Sequence, residues 1–536
     1  MKLYLRLLLA HAILACFVNS TSKPYHPPTY GEKYRPRYHF TSPKNWINDP
    51  NGLIYYGGLF QMYYQYNPYS ADWGHMSWGH AVSLDLVHWK NLPVAIPEYN
   101  GVQIFSGCNI IDVNNTSGFC KLKDCLLAFY TAQTDKGEAQ AFAYSNDLGV
   151  SYTQYAGNPI IDEGMADHRD PKVFWYAPGQ KWIMITALPM EFKCRLYFST
   201  DLKKWTHLSD FGVDGSTDGM WEDPDLFELA DEEGNMWWVL THSVDVAKVE
   251  YYIGTFDGTT FTNTQSISQD LYFDYGRDFT EAATFTNEPN GRRLIWAWLD
   301  EGIYGGQTPT EDEGWRGSLT LIRELKIKKY PEGLRIVTQP IDEYTKLRNE
   351  HKRWDNVQLN KNNSTLKVQN GNQVEMIAVF TLPTNTSLIP KEFGFKVFVG
   401  DGQYTTIAYN YNLGLFWMDR YNSGETDFNP TFPCITFTTL LSPENNQIQF
   451  RIFLDQNSVE VFANNGKIAM SNAIYPDPNK NEIIAYAIDG QVTLTSLDTW
   501  TLNSIWSTPD GMDEDLKKTD FFKEYLAKNP FNQEGF

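Results

Sequence analysis

The chain has little basic charge for its size, and this shortage limits the partners that it can bind. Its 536 residues carry 44 Lys and Arg against 65 Asp and Glu, which gives a formal net charge of −21. Nucleic acids and anionic membrane surfaces repel such a protein, so neither is expected as a partner. A polyanionic substrate would meet the same repulsion, whereas a neutral sugar would not.

Cysteine is also scarce, with six residues in the whole chain. Cys16 falls in a predicted leader, and an odd number of cysteines then remains, which excludes a complete disulfide framework. Those five are Cys108, Cys120, Cys125, Cys194 and Cys434. Cys120 and Cys125 could close a local loop, and buried free thiols are the alternative.

Long hydrophobic runs are missing after the first twenty residues. Lys2 and Arg6 precede an apolar stretch at 7–18, an order typical of a signal peptide over residues 1–20. This pattern predicts a secreted, extracellular protein, because the stretch is shorter than the roughly 20 residues of a membrane span. Cleavage would leave 42 basic against 65 acidic residues, a net charge of −23. Sequons that fit a secreted glycoprotein begin at Asn114, Asn115, Asn362, Asn363 and Asn385.

Helix signals are sparse, and a degenerate repeat of strand, turn and strand takes their place. Four segments share a Ser or Thr, then an Asp, then an aromatic residue, and their acids are Asp85, Asp147, Asp201 and Asp257. These acids lie 62, 54 and 56 positions apart. Such spacing suits one four-stranded antiparallel blade of a β-propeller per repeat.

Asp-Pro steps form a second series with a matching phase. They start at Asp49, Asp170 and Asp223, and each precedes a hydrophobic, strand-like run. Proline favours an extended conformation in the residue before it, which fits the start of a strand. An ordinary turn is the alternative for any single step, but three steps in phase favour a repeated strand.

Two further segments, 104–107 and 278–281, complete five predicted blades between residues 38 and 340. In a propeller the first strand of each blade lines the central axis. Acidic residues far apart in the sequence are therefore expected to converge there. They are Asp49, Asp170 and Glu222.

The repeat stops after about residue 345, and a second domain is predicted over residues 350–506. Alternating apolar positions at 449–454 and 459–462, separated by turn residues, predict hairpins of a β-sandwich. A charged linker is predicted between the two domains. It comprises Arg348, Glu350, Lys352 and Arg353.

The C-terminal tail, residues 507–536, carries only a short amphipathic pattern from 513 to 528. The chain is therefore predicted to be all-β, with a five-bladed β-propeller followed by a C-terminal β-sandwich. No role for the tail follows from the sequence, and a homo-oligomer is compatible with it.

The converging acids suit glycoside hydrolysis, which uses one carboxylate to attack the anomeric carbon and one carboxylic acid to protonate the leaving oxygen. Asp49 and Glu222 can fill these roles. An ordinary Asp is ionised at neutral pH, whereas the acid needs a raised pKa, which burial or a neighbouring carboxylate supplies. The ten His residues show no clustered ligand spacing, so no metal is expected.

Eight short motifs between Tyr38 and Trp506 follow one another in a characteristic order and spacing. They are WINDPNG at 46–52, QYNP at 65–68, WGHA at 78–81, FSG at 105–107, RDP at 169–171, WEDP at 221–224, WRG at 315–317 and SVEVF at 458–462. Together they resemble glycoside hydrolase family 32, which contains invertases, inulinases and related β-fructofuranosidases. The propeller and sandwich of that family agree with the repeat count.

This resemblance implies that Asp49 is the nucleophile, Glu222 the general acid/base, and Asp170 the carboxylate that grips fructose hydroxyls. Arg169 would keep Asp170 ionised. Further positions match the family's fructose pocket: Asn48, Gln65, Trp73, Phe105, Ser106 and Trp315. Each of these could instead serve ordinary packing. The implied reaction is a retaining double displacement that needs no cofactor.

Sucrose leads among the expected substrates, with exo-acting hydrolysis of inulin or levan and fructosyl transfer as alternatives that share the covalent intermediate. A catalytically silent fructan-binding lectin is the alternative from another class, and the intact acids argue against it. Two positions depart from the family pattern. Asp223 replaces the usual Cys, and Thr280-Glu281 stands where Tyr-Ala is usual. Strand alternation would turn Asp223 away from the pocket, whereas an Asp223 that stays charged nearby should raise the pKa of Glu222. Glu281 is either a further sugar ligand or a strand-end residue, and the second interpretation is favoured.

Overall fold

The structure is a computed structural model that describes residues 29–245, 247–265, 270–300, 302–506 and 512–528. The predicted signal peptide lies outside these residues. Most of the described chain is β-strand, as predicted, and no described helix is long and apolar enough to cross a membrane.

Twenty-one strands form five antiparallel sheets in the N-terminal part of the described chain, which we call the five-sheet unit. Its strands are β1 (Asn45–Tyr56), β2 (Leu59–Asn67), β3 (Ser77–Ser83), β4 (Trp89–Ile96), β5 (Gln103–Ile111), β6 (Leu126–Thr134), β7 (Gly137–Ser145), β8 (Thr153–Gln154), β9 (Arg169–Tyr176), β10 (Lys181–Leu188), β11 (Lys193–Ser199), β12 (Thr206–Gly212), β13 (Trp221–Ala230), β14 (Met236–Val244), β15 (Lys248–Phe256), β16 (Phe261–Asn263), β17 (Thr280–Thr284), β18 (Leu294–Trp298), β19 (Trp315–Arg316), β20 (Arg323–Tyr330) and β21 (Gly333–Pro340).

Each of the five sheets has four strands that follow one another in the chain, apart from the short β19, which pairs in parallel with β1. The sheets are β1 to β4, β5 to β8, β9 to β12, β13 to β16, and β17, β18, β20 and β21. The first strands of successive sheets are in contact, and β17 also contacts β1. The five first strands therefore surround one common axis.

The repeated Ser-Asp segments form the turns between the third and fourth strands of the first three sheets, and the Asp257 segment forms the corresponding turn of the fourth. In the turn before β12, Ser199 Oγ accepts the backbone N–H groups of Asp201 and Leu202, at 3.1 and 2.8 Å. The Asp201 carboxylate then accepts the N–H groups of Lys203 and Lys204. These side chains satisfy the turn's backbone donors, which explains why the pattern recurs.

The C-terminal part forms two six-stranded sheets, which we call the sandwich unit. Its strands are β22 (Arg348–Leu359), β23 (Thr365–Asn370), β24 (Val374–Thr381), β25 (Glu392–Gly400), β26 (Gln403–Asn410), β27 (Leu415–Asn422), β28 (Ile435–Thr438), β29 (Gln447–Asp455), β30 (Ser458–Ala463), β31 (Ile468–Ala473), β32 (Glu482–Ile488) and β33 (Val492–Leu502). The predicted hairpins are confirmed, because β30 pairs with both β29 and β31.

The prediction of a charged linker is wrong. Residues 348–353 belong to β22, the edge strand of a sandwich sheet, and they pair with β33. Their charged side chains face solvent for most of the strand, as is common where an edge must not recruit another strand. A run of charges therefore marked an exposed edge here and not a break between domains.

The tail contains two short helices, α1 (Met512–Lys518) and α2 (Asp520–Lys528), where the sequence predicts one amphipathic segment. Phe521, Phe522 and Tyr525 are buried against the first sheet, next to Leu59 and Val82. Elsewhere, Cys120 and Cys125 form a disulfide, whereas Cys108, Cys194 and Cys434 are free. The local-loop alternative for the two neighbouring cysteines is thus confirmed.

Candidate active site

A cavity of about 490 Å³ opens where the five first strands meet. Its volume lies within the range usual for small-molecule sites. The residues that line it are Trp46, Asn48, Asp49, Gln65, Trp73, Met76, Phe105, Ser106, Arg169, Asp170, Glu222, Asp223, Glu281, Trp298, Gly302 and Gly306. Nine of the ten predicted site residues are in this set, although they come from widely separated segments.

Every first strand has a register irregularity beside the cavity, and these bulges decide which side chains enter it. In a regular strand two consecutive side chains point to opposite faces. A bulge opposes two residues to one and can re-aim a side chain. Four pairs of consecutive residues accordingly line the same cavity: Asn48 with Asp49, Phe105 with Ser106, Arg169 with Asp170, and Glu222 with Asp223.

Asp49 is held by two donors inside the cavity. Ser106 Oγ donates a hydrogen bond of 2.6 Å to Asp49 Oδ2, and Asn48 Nδ2 donates one of 2.7 Å to Oδ1. Asn48 is oriented in turn by Trp46 Nε1, at 2.7 Å. Burial raises the pKa of Asp49, while the bonds from Ser106 and Asn48 partly offset that shift by stabilising the carboxylate. The side chain is fixed in position and available for attack.

Glu222 forms an ion pair with Arg169, whose Nη1 lies 2.7 Å from Glu222 Oε1. The same guanidinium contacts Glu138 and Asp167. Burial raises the pKa of Glu222, and Arg169 offsets only part of this rise, so the group keeps its proton to higher pH than an ordinary Glu. A carboxyl group with this property suits general acid catalysis.

Asp170 is buried and accepts the backbone N–H of Asp223 at 3.0 Å. Its own N–H donates to Thr131 Oγ1 at 2.8 Å. Burial and the nearby Asp223 raise its pKa, whereas the positive charge of Arg169 lowers it. Arg169 acts on Asp170 through space, since its recorded hydrogen bonds go to other groups.

Neutral residues form the rest of the wall. Trp73 is 56% exposed at the mouth and meets Phe105 edge to face, with ring centroids 5.8 Å apart. Gln65 is buried, and its Nε2 has no hydrogen-bond partner among the described residues, so a donor is free to bind a ligand. Trp315 does not line the cavity. It packs under the Arg35 guanidinium, 4.4 Å from the ring centroid, and its Nε1 donates to Glu313.

The structure corrects the two interpretations drawn for the departures from the family pattern. Asp223 faces the cavity, because the bulge at Glu222 to Asp225 breaks the alternation that would have turned it away. Glu281 also lines the cavity and is buried, so it is more than a strand-end residue. Asp170, Asp223 and Glu281 share a left-handed backbone, with φ of 64°, 45° and 50°. Such strain in residues other than glycine is typical of functional sites.

The aromatic and sulfur-containing part of the wall, formed by Trp46, Met76 and Trp298, was not predicted from the sequence. Trp46 and Trp298 lie with ring centroids 5.7 Å apart. Trp46 belongs to the WINDPNG motif and could have been found from it, because it precedes Asn48 by two positions and so shares a strand face with it. Nothing in the sequence around Met76 or Trp298 points to the cavity.

Three carboxyl groups, those of Asp49, Asp223 and Glu281, have oxygens within 4.8 Å of one another. This spacing meets the geometric minimum for a cation site. Both Asp49 oxygens already accept hydrogen bonds, however, so we assign no metal to these residues. The close approach of these three acids instead favours the protonated form of some of them, since their pKa values are raised.

Two family models and several known proteins match this chain. The model of the glycosyl hydrolases family 32 N-terminal domain matches residues 39–340, and the model of the family 32 C-terminal domain matches residues 343–501. A levanase of Bacillus subtilis is 42% identical over 495 residues, which cover 89% of this chain and 72% of that protein. An extracellular exo-inulinase of Aspergillus niger is 31% identical over 527 residues, 90% of this chain and 97% of that protein.

Invertase 2 of Saccharomyces cerevisiae is 32% identical over 479 residues, covering 82% of this chain and 89% of that protein. The crystal structure of an exo-inulinase from Aspergillus awamori superposes with a TM-score of 0.83 at 28% identity, and covers 89% of this chain and all of that chain. The family models cover both units of the chain, and the relatives match over 82–90% of it. The chain is a glycoside hydrolase and belongs to glycosyl hydrolase family 32.

Proposed function

We propose that the chain is a secreted, retaining β-fructofuranosidase that releases fructose from terminal, non-reducing β-D-fructofuranosides. The observation that carries this proposal is the cavity itself, where Asp49 is held by two donors and Glu222 keeps a raised pKa. One carboxylate ready to attack and one acid able to protonate are the two groups that a retaining glycosidase requires.

In the proposed mechanism, Asp49 attacks C2 of the fructosyl unit while Glu222 protonates the departing oxygen. A fructosyl ester on Asp49 results. Glu222, now a carboxylate, removes a proton from water, which attacks C2 and releases fructose and free Asp49. Arg169 holds Glu222 in place and stabilises its charged form in the second step.

Asp170 would accept hydrogen bonds from two fructose hydroxyls, and Gln65 and Asn48 would bind others with their amide groups. Bonds to these hydroxyls that shorten as positive charge develops on the ring stabilise the oxocarbenium-like transition state. Trp73 and Phe105 would cover the sugar and exclude water. A substrate-binding role for Trp315 stays a prediction, since its ring packs under Arg35.

Sucrose is the leading substrate from the sequence, and levan is a second candidate that one observation favours: the 42% identity to a levanase. Inulin and fructosyl transfer remain alternatives because relatives include an exo-inulinase and the intermediate is common to all. The choice depends on the groups that bind the leaving part of the substrate, beyond the fructosyl site.

We further propose that the five-sheet unit is the five-bladed propeller catalytic domain, residues 38–340, and that residues 350–506 form the sandwich domain. The contacts among the five first strands and the two six-stranded sheets support this division. Secretion is supported by the predicted leader and by the name of the extracellular relative.

Incubation with sucrose, inulin and levan, with products resolved by chromatography and the released anomer followed by proton NMR, tests the function. We expect free fructose as the main product and initial release in the β configuration. Initial release of the α anomer would contradict the retaining mechanism. Transfer products in place of fructose would indicate a fructosyltransferase, and tight fructan binding without turnover would indicate a lectin.

A further inference from the structure

Five carboxyl groups belong to the described residues that line the cavity, and the hydrogen-bond donors around them are unevenly divided. Asp49 accepts hydrogen bonds from the side chains of Ser106 and Asn48. Asp170 accepts one from the backbone N–H of Asp223, and Glu222 accepts one from Arg169. The side chains of Asp223 and Glu281 accept fewer and longer hydrogen bonds. Among the described residues, Oε1 of Glu281 accepts only from the Thr280 hydroxyl, at 3.5 Å, and the Asp223 carboxyl group accepts from no N–H or hydroxyl group.

Glu281 is 3% exposed, and its Oε2 accepts no hydrogen bond from the described residues, yet it lines the cavity. A buried oxygen of this kind costs free energy unless a partner satisfies it. One oxygen each of Glu281, Asp223 and Asp49 lies within 4.8 Å of the other two. Two carboxylates cannot satisfy each other, but a carboxylic acid can donate to a carboxylate.

The surrounding charges favour retention of a proton at this place. The charged and titratable groups that line the cavity around the two side chains are Asp49 on β1, Arg169 and Asp170 on β9, and Glu222 on β13. His242 lies on β14, which packs against β17. Arg169 is the one cation among the described residues that line the cavity, and its contacts go to other acids. Burial lowers the pKa of His242 to about 3, so it contributes no positive charge at neutral pH.

Given the fructosyl site of the proposed function, on which this inference rests, we propose that Asp223 and Glu281 share one proton and act as a hydrogen-bonding pair that binds a sugar hydroxyl in the cavity. One carboxyl group donates to the other, and the pair presents both a donor and an acceptor to the substrate. No bond is broken, and the proton stays within the pair. Burial raises the pKa of both groups, and their mutual contact and the neighbouring acids add to the effect, in agreement with retention at neutral pH.

The sign of the pH effect follows from this proton. At neutral pH the proton is present and the pair binds sugar. As pH rises past the point at which the proton leaves, two like charges face each other in a buried site and the donor is lost. Substrate binding is therefore expected to weaken at alkaline pH, which raises KM independently of the Glu222 titration that governs kcat.

The test is the pH dependence of kcat and KM for sucrose or levan in four variants of the full chain. Asp223→Asn and Glu281→Gln each replace one acid by an amide that still donates but cannot ionise. Because the amide cannot ionise, we expect KM of both variants to lose its rise at alkaline pH, and any increase of KM at neutral pH to be smaller than in the alanine variant. Glu281→Ala removes the contact altogether, so its KM should be about tenfold or more above that of the unmodified protein at neutral pH and should not rise further at alkaline pH.

Asp245→Asn is the matched control, since Asp245 raises the pKa of Glu222 and does not line the cavity. It should move the alkaline limb of kcat to lower pH and leave the pH dependence of KM unchanged. The infrared absorption of protonated carboxyl groups at neutral pH should fall by one group in both amide variants, while the contribution of Glu222 remains in all three proteins.

An unchanged rise of KM at alkaline pH in both amide variants would overturn the proposal, and so would an equal loss of binding in the amide and alanine variants. A KM that responds to added Ca²⁺ or to a chelator would show that a cation and not a proton bridges the pair. These outcomes differ from failure of the proposed function, because loss of turnover in Asp49→Ala tests the nucleophile and does not depend on the pair.

Discussion

Buried acids occur in two regions of this protein, and the two regions treat them in opposite ways. Among the described residues that line the cavity there are five acids and one cation, Arg169, which pairs with Glu222. At the contact between the five-sheet and sandwich units, the buried acids described next form ion pairs, in which Arg323 also binds Asp274 and His39 also binds Asp455. Glu460 pairs with Arg323 at 2.7 Å and with His39 at 2.9 Å, and Asp278 pairs with Arg420 at 2.6 Å.

The pKa values of these buried groups also differ between the two regions. At the contact between the units, burial alone would raise the pKa of Glu460, but Arg323 and His39 outweigh it and hold the value at about 2. Burial alone would lower the pKa of His39, and its bonds to Asp455 and Glu460 raise it to about 9. In the cavity, the pKa values of Asp49, Asp170 and Glu222 all lie above their ordinary ranges.

An acid such as Glu460, whose cations outweigh the effect of burial, holds the two units together, whereas an acid whose pKa stays raised, such as Glu222, is available for proton transfer. Ion pairs that are fully buried cost much when one partner is removed. Acids with raised pKa cost native-state stability and are kept where protons must move. Activity and stability measured in the same variants distinguish acids that stabilise the fold from acids that act in the reaction.

The largest effect is expected in the cavity. Asp49→Ala or Glu222→Ala should lower kcat by about 10⁴-fold or more, because each removes a group that acts on the reacting atoms. The melting temperature should stay the same or rise, since a buried acid with a raised pKa is lost. Steady-state kinetics and calorimetry on the same samples provide the check. Undiminished hydrolysis in either variant would contradict the assignment.

The opposite result is expected at the contact between the units. Glu460→Gln leaves Arg323 and His39 buried without their shared carboxylate, so unfolding should become easier by about 3–5 kcal/mol. Because Glu460 does not line the cavity, kcat of the folded protein should be unchanged. Denaturant unfolding and kinetics below the melting temperature test this pair of outcomes. A loss of kcat equal to that of the Asp49 variant would remove the distinction.

Stability should also depend on pH through His39. Its pKa is raised in the folded state, so its contribution is complete below the ordinary value of 6.5 and is lost as pH rises through about 9. The lost contribution amounts to roughly 3 kcal/mol. His39→Gln should flatten melting temperature against pH over this interval. A variant that still loses stability there as the unmodified protein does would rule out His39 as the cause.

The smallest effect is expected on the exposed face of β22. Arg353 pairs with Asp355 and Asp498 at the surface, where solvent screens the interaction. Arg353→Ala should change neither the melting temperature nor kcat measurably. A clear loss of stability would show that exposed pairs matter here as much as the buried ones.

Much of this arrangement is readable from the sequence because it depends on local patterns. The Ser-Asp repeat encodes turns that bind their own backbone, and the alternation in β29 and β30 encodes a hairpin. Asp49 and Asp170 were expected together because their strands share a phase, and both line the cavity. The class of fold and the convergence of distant acids follow from such regularities.

The rest depended on departures from regularity. Asp223 faces the cavity only because a bulge interrupts strand alternation, and the following Pro224, which cannot donate to the ladder, was the available signal. Glu281 has no proline after it and gave no such signal. The partner of Arg169 was also unpredictable, since Glu222 and Asp170 are both near it and only the folded geometry selects Glu222.

The most direct measurement is mass spectrometry of the covalent intermediate. In Glu222→Gln, an aryl β-D-fructofuranoside with a good leaving group needs no protonation to form the fructosyl-enzyme, but its hydrolysis lacks a base, so the intermediate should accumulate. We expect a fructosyl group on the peptide that contains Asp49. A fructosyl group on the peptide of Asp170, Asp223 or Glu281 would contradict it.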